Sequence, residues 1–166
     1  MQKKYQLGFM LILALIIFDQ LTKYLIVWLI PYNFENVNAI PSYQIIPNFL
    51  YITHHHNDGA AWGILSGQRI ILFLITAFAL TMFAFLFKDI AFKTKKMYTY
   101  AIIFLIAGTI GNFIDRLFLG YVIDFIDVYL GSYDFPIFNI ADSLLTIGMI
   151  MFAYDILFLE GKRERV

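Results

Sequence analysis

The stretch that decides the fold is IILFLITAFALTMFAFLF at residues 70–87, which contains no charged side chain. A helix needs about 20 mostly apolar residues to cross the hydrocarbon core of a bilayer. Three further runs have this character, at residues 7–30, 97–113 and 141–159. The run at 97–113 is short before its polar end, so its last turn is expected at the membrane interface. The sequence therefore predicts an all-α membrane protein with four transmembrane helices.

The composition agrees with this fold class. Hydrophobic residues make up 61% of the 166 residues and charged residues 14%, against roughly a quarter charged in a soluble domain. A soluble core of this length cannot hold so many apolar side chains, so we expect lipid to cover part of them. The length favours a single domain over residues 1–166. A net charge of zero gives no support for a nucleic-acid partner, and the absence of cysteine excludes disulfides, thiolate metal sites and a cysteine nucleophile.

The first apolar run could be mistaken for a secretory signal peptide, because it follows Lys3 and Lys4. It has no A-x-A cleavage site, and its apolar character continues past Asp19 and Lys23. We therefore expect residues 7–30 to be a retained membrane span.

The basic residues predict the orientation of the spans. They collect before the first run, between the second and third, and after the fourth: Lys3, Lys4, Lys88, Lys93, Lys95, Lys96, Lys162, Arg163 and Arg165. The connecting segments 31–69 and 114–140 contribute only Arg69 and Arg116. By the positive-inside rule both termini are cytoplasmic and these two segments are external. The external segments contain half of the twelve acidic residues: Glu35, Asp58, Asp115, Asp124, Asp127 and Asp134.

The external segments have strand-like patterns of their own. Residues 43–53, YQIIPNFLYIT, are rich in β-branched and aromatic side chains and are broken by Pro47, which predicts two short strands in a small sheet. Asn57-Asp58-Gly59 is a turn signal. The stretch VIDFIDVYL at 122–130 is strand-like or interfacial.

Asp19 and Lys23 lie inside the first span, where charged residues cost about 2.5–3.5 kcal/mol on insertion scales and are functional candidates by default. They are four residues apart on one helix face, so they can pair. Two interpretations remain open: a functional role, or an ion pair that holds the helix in the bundle while Lys23 snorkels outward.

The third span ends in AGTIGNFIDR at 107–116. Asn112, Asp115 and Arg116 have helical spacing and share one face. Ala107 and Gly111 form a small-xxx-small pair that lets another helix approach closely. The alternative is a helix end whose charges simply meet water.

Two carboxylates lie on either side of the second external loop. Asp124 lies in VIDFID, and Asp142, in FNIADS, could by itself be an ordinary helix N-cap. Hydrolysis of an amide without metal or thiol needs one group to activate water and another to protonate the departing nitrogen. Two carboxylates held close together share one proton and supply both functions.

Other interpretations are weaker. His54, His55 and His56 invite a metal site, but adjacent residues of a strand point to opposite faces. A small transporter could use Asp19, Asp115 and Asp142 as a proton relay, which would require polar residues toward the cytoplasmic side. The inner halves of the second and third spans are almost wholly apolar, and the sequence has no internal repeat.

Five stretches resemble the conserved blocks of bacterial lipoprotein signal peptidases, also called signal peptidase II. They are FDQLTK at 18–23, HNDGAAWG at 56–63, GNFIDR at 111–116, VIDFID at 122–127 and FNIADS at 138–143. Their order is that of the family, and together they extend over essentially the whole chain. The histidines before Asn57 are not explained by the resemblance.

The resemblance implies an aspartic endopeptidase of the bacterial cytoplasmic membrane that uses no cofactor or metal. Such enzymes act on diacylglyceryl-prolipoproteins in membrane lipid and cut just before the lipidated cysteine. It implies that Asp124 and Asp142 are catalytic. The positions that would shape the site and hold the substrate backbone are Asp19, Asn57, Asn112, Asp115, Arg116 and Asn139. It also implies an external β-cradle and a half-helix.

Overall fold

A computed structural model of the chain describes residues 2–32, 42–60 and 64–163. Four long apolar helices dominate it, each long enough to cross a membrane. They are α1 (Gln2–Leu29), α2 (Arg69–Leu86), α3 (Lys96–Phe118) and α4 (Ile140–Tyr154). A 3₁₀ turn, Phe87–Asp89, prolongs α2, and a π-helix, Asp155–Glu160, followed by Gly161–Arg163 prolongs α4. The predicted all-α membrane class with four spans is confirmed.

Helix α3 is longer than the apolar run that predicts it. It continues past residue 113 to Phe118, and Asn112 and Asp115 near its end are 5% and 2% exposed. These side chains find partners inside the bundle. The alternative in which they simply meet water is therefore wrong.

A four-stranded antiparallel sheet covers one end of the bundle, which we call the sheet end. Its strands, in the order β1-β2-β3-β4, are β1 (Ser42–Ile46), β2 (Leu50–Asn57), β3 (Val122–Leu130) and β4 (Tyr133–Asp134). The predicted pair of strands around Pro47 is confirmed, and the stretch at 122–130 is a strand. The turn between β1 and β2 places Asn48 at φ +56°, a left-handed conformation that Asn tolerates better than most residues.

The sheet is fixed to the bundle by apolar contacts. Ile26 and Ile30 near the end of α1 pack against Ile123 and Phe125 of β3, and all four are buried. Side chains alternate along a strand, so Asp124 faces away from this cluster. The same packing that anchors β3 therefore fixes the direction of Asp124.

Helices α3 and α4 approach each other closely at glycines. A Cβ atom on Gly108 would lie 2.5 Å from the Ala141 carbonyl oxygen, and one on Gly111 would lie 3.1 Å from the Ala141 Cβ atom and 2.7 Å from Oδ2 of Asp19 in α1. The prediction of a close approach at Gly111 is confirmed. Gly108, which is not part of the Ala107–Gly111 small-xxx-small pair, makes the tighter contact.

The opposite end of the bundle has an ion pair of its own. Asp155, 1% exposed, binds Arg163 through both carboxylate oxygens and accepts a hydrogen bond from the Tyr98 amide at 3.2 Å. It satisfies an amide in the first turn of α3, where no intrahelical acceptor exists. Residues 33–41 and 61–63, in the segment where the resemblance implies a half-helix, lie outside the described residues, as does Glu35.

Candidate active site

Asp124 and Asp142 meet at Asn139 near the sheet end. Asp124 is the third residue of β3 and is 1% exposed, and Asp142 lies in the first turn of α4. Asp124 Oδ1 accepts a hydrogen bond from Asn139 Nδ2 at 2.7 Å, and Asp142 Oδ2 accepts one from the Asn139 backbone N–H at 3.1 Å. One residue thus contacts both carboxylates, which we call the carboxylate pair.

The start of α4 explains how Asn139 is held. Asn139 is the N-cap, and its side-chain oxygen accepts from the Asp142 amide at 2.9 Å, while Asp142 returns a bond to the Asn139 amide. This reciprocal arrangement is a capping box. The suggestion that Asp142 is itself the N-cap is therefore wrong, although its carboxylate does satisfy a backbone N–H of the helix start.

Two more amide side chains complete the hydrogen bonding of the carboxylate pair. Asn112 Nδ2 donates to Asp142 Oδ1 at 2.7 Å, and Asn57 Nδ2 donates to Asp124 Oδ2 at 2.9 Å. Each of the four carboxylate oxygens therefore accepts one N–H group. This fixes the orientation of both carboxylates and leaves their remaining lone pairs for other partners.

The environment of Asp124 favours its protonated form. Burial raises the pKa of Asp124, and the nearby Asp142 raises it further, to about 7, against the lowering effect of the bonds from Asn57 and Asn139. A carboxyl group with a pKa near 7 can hold a proton at neutral pH and exchange it during a reaction.

A buried ion cluster lies behind the pair. Lys23, 1% exposed, contacts Asp19 Oδ2 at 2.9 Å and Asp115 Oδ2 at 3.0 Å. The predicted pairing of Asp19 with Lys23 is confirmed. The suggestion that Lys23 snorkels outward is wrong, because its ammonium lies between these two carboxylates inside the bundle. Gln20 Nε2 bridges the same two carboxylates at 3.1 and 3.0 Å.

Arg116 does not bind its helical neighbour Asp115. Its Nη2 donates to the Gly59 carbonyl oxygen at 2.8 Å, while Asp115 binds Lys23 instead. Among the described residues, Arg116 Nε is buried without a hydrogen-bond partner. Arg116 therefore ties α3 to the turn after β2 and keeps a donor for a further partner.

A cavity of about 760 Å³ opens beside the carboxylate pair. Asp124, Asp142 and Arg116 line it near the sheet end, and Leu105 of α3 and Phe83 of α2 line it deeper in the bundle. Arg116 and Leu105 are 11 residues apart, which is roughly 16 Å along a helix at 1.5 Å per residue. A polar site and a long apolar groove are thus parts of one cavity.

The three histidines pack rather than gather as ligands. The His56 ring stacks between Tyr32 and Tyr121 with centroid distances of 3.8 Å on both sides. His54 Nδ1 lies 2.6 Å from the Ile30 carbonyl oxygen, so this nitrogen is the donor. Burial lowers the pKa of His56, and the neighbouring His54 and His55 lower it further, to about 4. The His54 and His56 rings thus join the segment after α1 to the sheet.

All eight residues singled out in the sequence lie in this one region. Asn57, Asn112 and Asn139 contact the carboxylate pair directly. The sequence does not predict all the contacts of Lys23, whose Nζ also donates to Asn112 Oδ1 at 3.0 Å. The four-residue spacing predicts the pairing of Lys23 with Asp19, but the contact with Asn112 depends on how α1 and α3 pack.

The fold and site define a four-helix membrane protein with an acidic, amide-lined cavity at one end of its bundle. A sequence model described as "Signal peptidase (SPase) II" matches residues 11–158. The lipoprotein signal peptidases of Staphylococcus aureus strains JH9 and Newman are each 46% identical over 154 residues, which is 91% of this chain and 89% of theirs. The chain belongs to the signal peptidase II family.

Solved structures agree with the family. One described as "Bacterial membrane enzyme structure by the in meso method at 2.3 A resolution" is 42% identical, with a TM-score of 0.78, covering 97% of this chain and 92% of that chain. A second, at 1.9 Å, is 44% identical with a TM-score of 0.76, covering 93% and 94%. Together with the four apolar helices, the bacterial relatives support a location in the cytoplasmic membrane.

Proposed function

We propose that the chain is an aspartic endopeptidase whose catalytic residues are Asp124 and Asp142. The observation that carries this proposal is the carboxylate pair, joined through Asn139 and lining a cavity that continues into the apolar groove. Two carboxylates in one low-dielectric site cannot both ionise cheaply, so they share a proton. This is the condition that acid–base hydrolysis of an amide requires.

In the proposed mechanism Asp124 carries the shared proton and Asp142 is ionised. Asp142 takes a proton from a water molecule as the water oxygen attacks the scissile carbonyl carbon. Asp124 donates a hydrogen bond to the carbonyl oxygen and stabilises the tetrahedral intermediate. When the C–N bond breaks, the departing nitrogen receives a proton from the pair, and the site returns to its starting protonation.

The other polar residues would shape the site and hold the substrate backbone. Asn112 and Asn139 orient the carboxylates through the bonds described above. Arg116, which lines the cavity and has an unpaired Nε among the described residues, is suited to a substrate carbonyl. Asn57 joins Asp124 to the turn at Gly59. Asp19 and Asp115 belong to the buried ion cluster behind the carboxylate pair and bind Lys23 there.

The proposed substrates are diacylglyceryl-modified prolipoproteins, cut just before the lipidated cysteine. The names of the relatives support a lipoprotein signal peptide as substrate. The apolar groove continues from the carboxylate pair toward Leu105 and Phe83, which suits an apolar signal sequence. The substrate's acyl chains would remain in membrane lipid. In this proposal the chain is one domain, both termini are cytoplasmic and the sheet end is external.

Cleavage by the purified protein in detergent tests the proposal. The substrate pair is one prolipoprotein prepared with and without the diacylglyceryl group on its cysteine. We expect the lipidated form to be cut directly before that cysteine and the unmodified form to be cut far more slowly. Equal cleavage of the two forms would contradict the proposed substrate, and no cleavage of either would contradict the proposed activity.

A further inference from the structure

Lys23 has no part in the proposed chemistry, yet it is 1% exposed inside the bundle. Its ammonium group has three N–H donors. Three acceptors lie within reach: Asp19 Oδ2 at 2.9 Å, Asp115 Oδ2 at 3.0 Å and Asn112 Oδ1 at 3.0 Å. With all three donors engaged, Lys23 has none left for a substrate. Any influence on the reaction must pass through these partners.

The two carboxylates bound to Lys23 hold the backbone on either side of the site. Asp115 Oδ2 accepts from the Ile123 amide at 3.2 Å, and Asp19 Oδ1 accepts from the Ala141 amide at 2.8 Å. Ile123 and Ala141 are the residues directly before the two members of the carboxylate pair. One ammonium therefore joins the two backbone anchors of the pair, one on β3 and the other on α4.

The third partner of Lys23 acts on the pair through its side chain. Lysine only donates hydrogen bonds, so the Asn112 atom that faces it must be the amide oxygen. Asn139 Nδ2 donates to the same oxygen at 3.0 Å. The amide nitrogen of Asn112 is then left to face Asp142, to which it donates at 2.7 Å. Lys23 and Asn139 together thus fix which end of the amide meets the carboxylate.

We propose that Lys23 is a positioning residue: by binding two carboxylates and one amide at once, it holds the carboxylate pair at a fixed spacing and keeps the Asn112 amide nitrogen directed at Asp142. The inference rests on the proposed function. The ammonium is also a fixed positive charge one amide group away from Asp142, and Arg116 is the other cation that acts on this carboxylate.

The first test substitutes Lys23→Met, which keeps the length and apolar stem of the side chain and removes its charge and donors. Per folded molecule, we expect kcat to fall by about 10- to 100-fold, with KM within about twofold. Without the positive charge the pair binds protons more tightly, so both limbs of the kcat–pH profile should move to higher pH. An unchanged kcat and pH profile in folded protein would overturn the proposal.

The matched control is Asp155→Asn, which breaks the buried ion pair at the opposite end of the bundle. It should lower the melting temperature and leave kcat per folded molecule and the pH profile unchanged. If this control moved the pH profile as Lys23→Met does, the effect would be a general consequence of destabilisation and the proposal would fail.

A charge-balanced variant guards against misfolding of Lys23→Met. Lys23→Met combined with Asp19→Asn removes one charge of each sign from the ion cluster, and asparagine can still accept from the Ala141 amide. We expect kcat to remain reduced, because Asn112 Oδ1 keeps only the donor from Asn139 and has lost the one from Lys23, while the pH profile returns toward that of the wild type. A wild-type kcat in this double variant would contradict the positioning role.

A measurement without substrate separates this inference from the proposed function. Carbon-13 NMR of carboxyl-labelled aspartate, assigned with Asp124→Asn, follows the titration of the carboxylate pair directly. In Lys23→Met the midpoint should move to higher pH, and in Asp155→Asn it should not. An unmoved midpoint in folded Lys23→Met would overturn the inference whether or not the wild type cleaves prolipoprotein.

Discussion

Asp124 is buried at a position where alternation along β3 turns it away from the apolar cluster and toward amide side chains. Its two oxygens accept hydrogen bonds from Asn57 and Asn139, which lower the cost of the charged form but do not remove it. Burial and the neighbouring Asp142 dominate and raise the pKa of Asp124 to about 7. The residue is thus kept in a state that is useful for proton transfer and unfavourable for stability.

This imbalance predicts a pH-dependent gain in stability for Asp124→Asn. An unfolded aspartate has a pKa of about 3.9. Because the pKa in the folded protein is higher, protonation stabilises the fold fully below pH 4, and this contribution is lost as the pH rises through 7. Asparagine cannot ionise, so the variant should unfold at a higher temperature than the wild type at pH 8.

The expected gain at pH 8 is about 1–3 kcal/mol, since each pKa unit corresponds to about 1.4 kcal/mol and the new amide N–H groups will face those of Asn57 or Asn139. Thermal unfolding at pH 8 and at pH 4 measures it. The difference between variant and wild type should shrink toward pH 4. An equal difference at both pH values would mean that ionisation of Asp124 does not strain the fold.

Helices α3 and α4 carry most of the site, and their close approach depends on Gly108. A Cβ atom there would meet the Ala141 carbonyl oxygen, which belongs to backbone and cannot move aside without shifting the start of α4. Asp142 follows Ala141 directly. The glycine is therefore required for the position of a proposed catalytic residue as well as for packing.

Gly108→Ala should lower the free energy of unfolding by about 1–3 kcal/mol, the usual cost of overpacking, and reduce cleavage per folded molecule. Gly161→Ala is the matched control, because nothing lies within 4 Å of a Cβ atom at that position. It should leave stability and cleavage unchanged. Thermal melting and single-turnover cleavage measure the two effects, and a Gly108→Ala variant as stable as the control would contradict the close approach.

At the level of elements, sequence reasoning succeeds where local patterns decide the outcome. The apolar runs predict the four helices, and Pro47 predicts the break between β1 and β2. It fails where packing decides. The extension of α3 past residue 113, the inward direction of Lys23 and the N-cap role of Asn139 all depend on partners from other elements. The sequence predicts the candidate residues but not the hydrogen bonds that join them.

For the whole molecule, the distribution of basic residues predicts the orientation in the membrane. The chain has no cysteine, so single substitutions can be labelled selectively. Tyr43 on β1 is 60% exposed at the sheet end, and Lys162 is exposed at the opposite end. In intact cells a membrane-impermeant thiol reagent should label Tyr43→Cys and not Lys162→Cys. The reverse pattern would place the sheet end in the cytoplasm.

The membrane also explains the many exposed apolar side chains of the bundle. Phe78 and Phe9, for example, are 73% and 62% exposed. Contact with lipid is favourable for such side chains, whereas contact with water is not. A groove that continues from the carboxylate pair into the same bundle gives an apolar signal sequence a route to the site. The proposed function depends on Asp124 and Asp142 performing the hydrolysis.

Single-turnover cleavage of a lipidated prolipoprotein by Asp124→Asn, Asp142→Asn and the double variant tests that claim most directly, with melting temperatures measured on the same preparations. Asparagine is nearly isosteric with aspartate but can neither accept nor return the proton. Each single variant should remain folded and lose activity by about 10³-fold or more. The double variant should be little worse, since the two residues act as a unit. Asp127→Asn on the same strand should cleave normally. Substantial cleavage by either folded single variant would contradict the assignment.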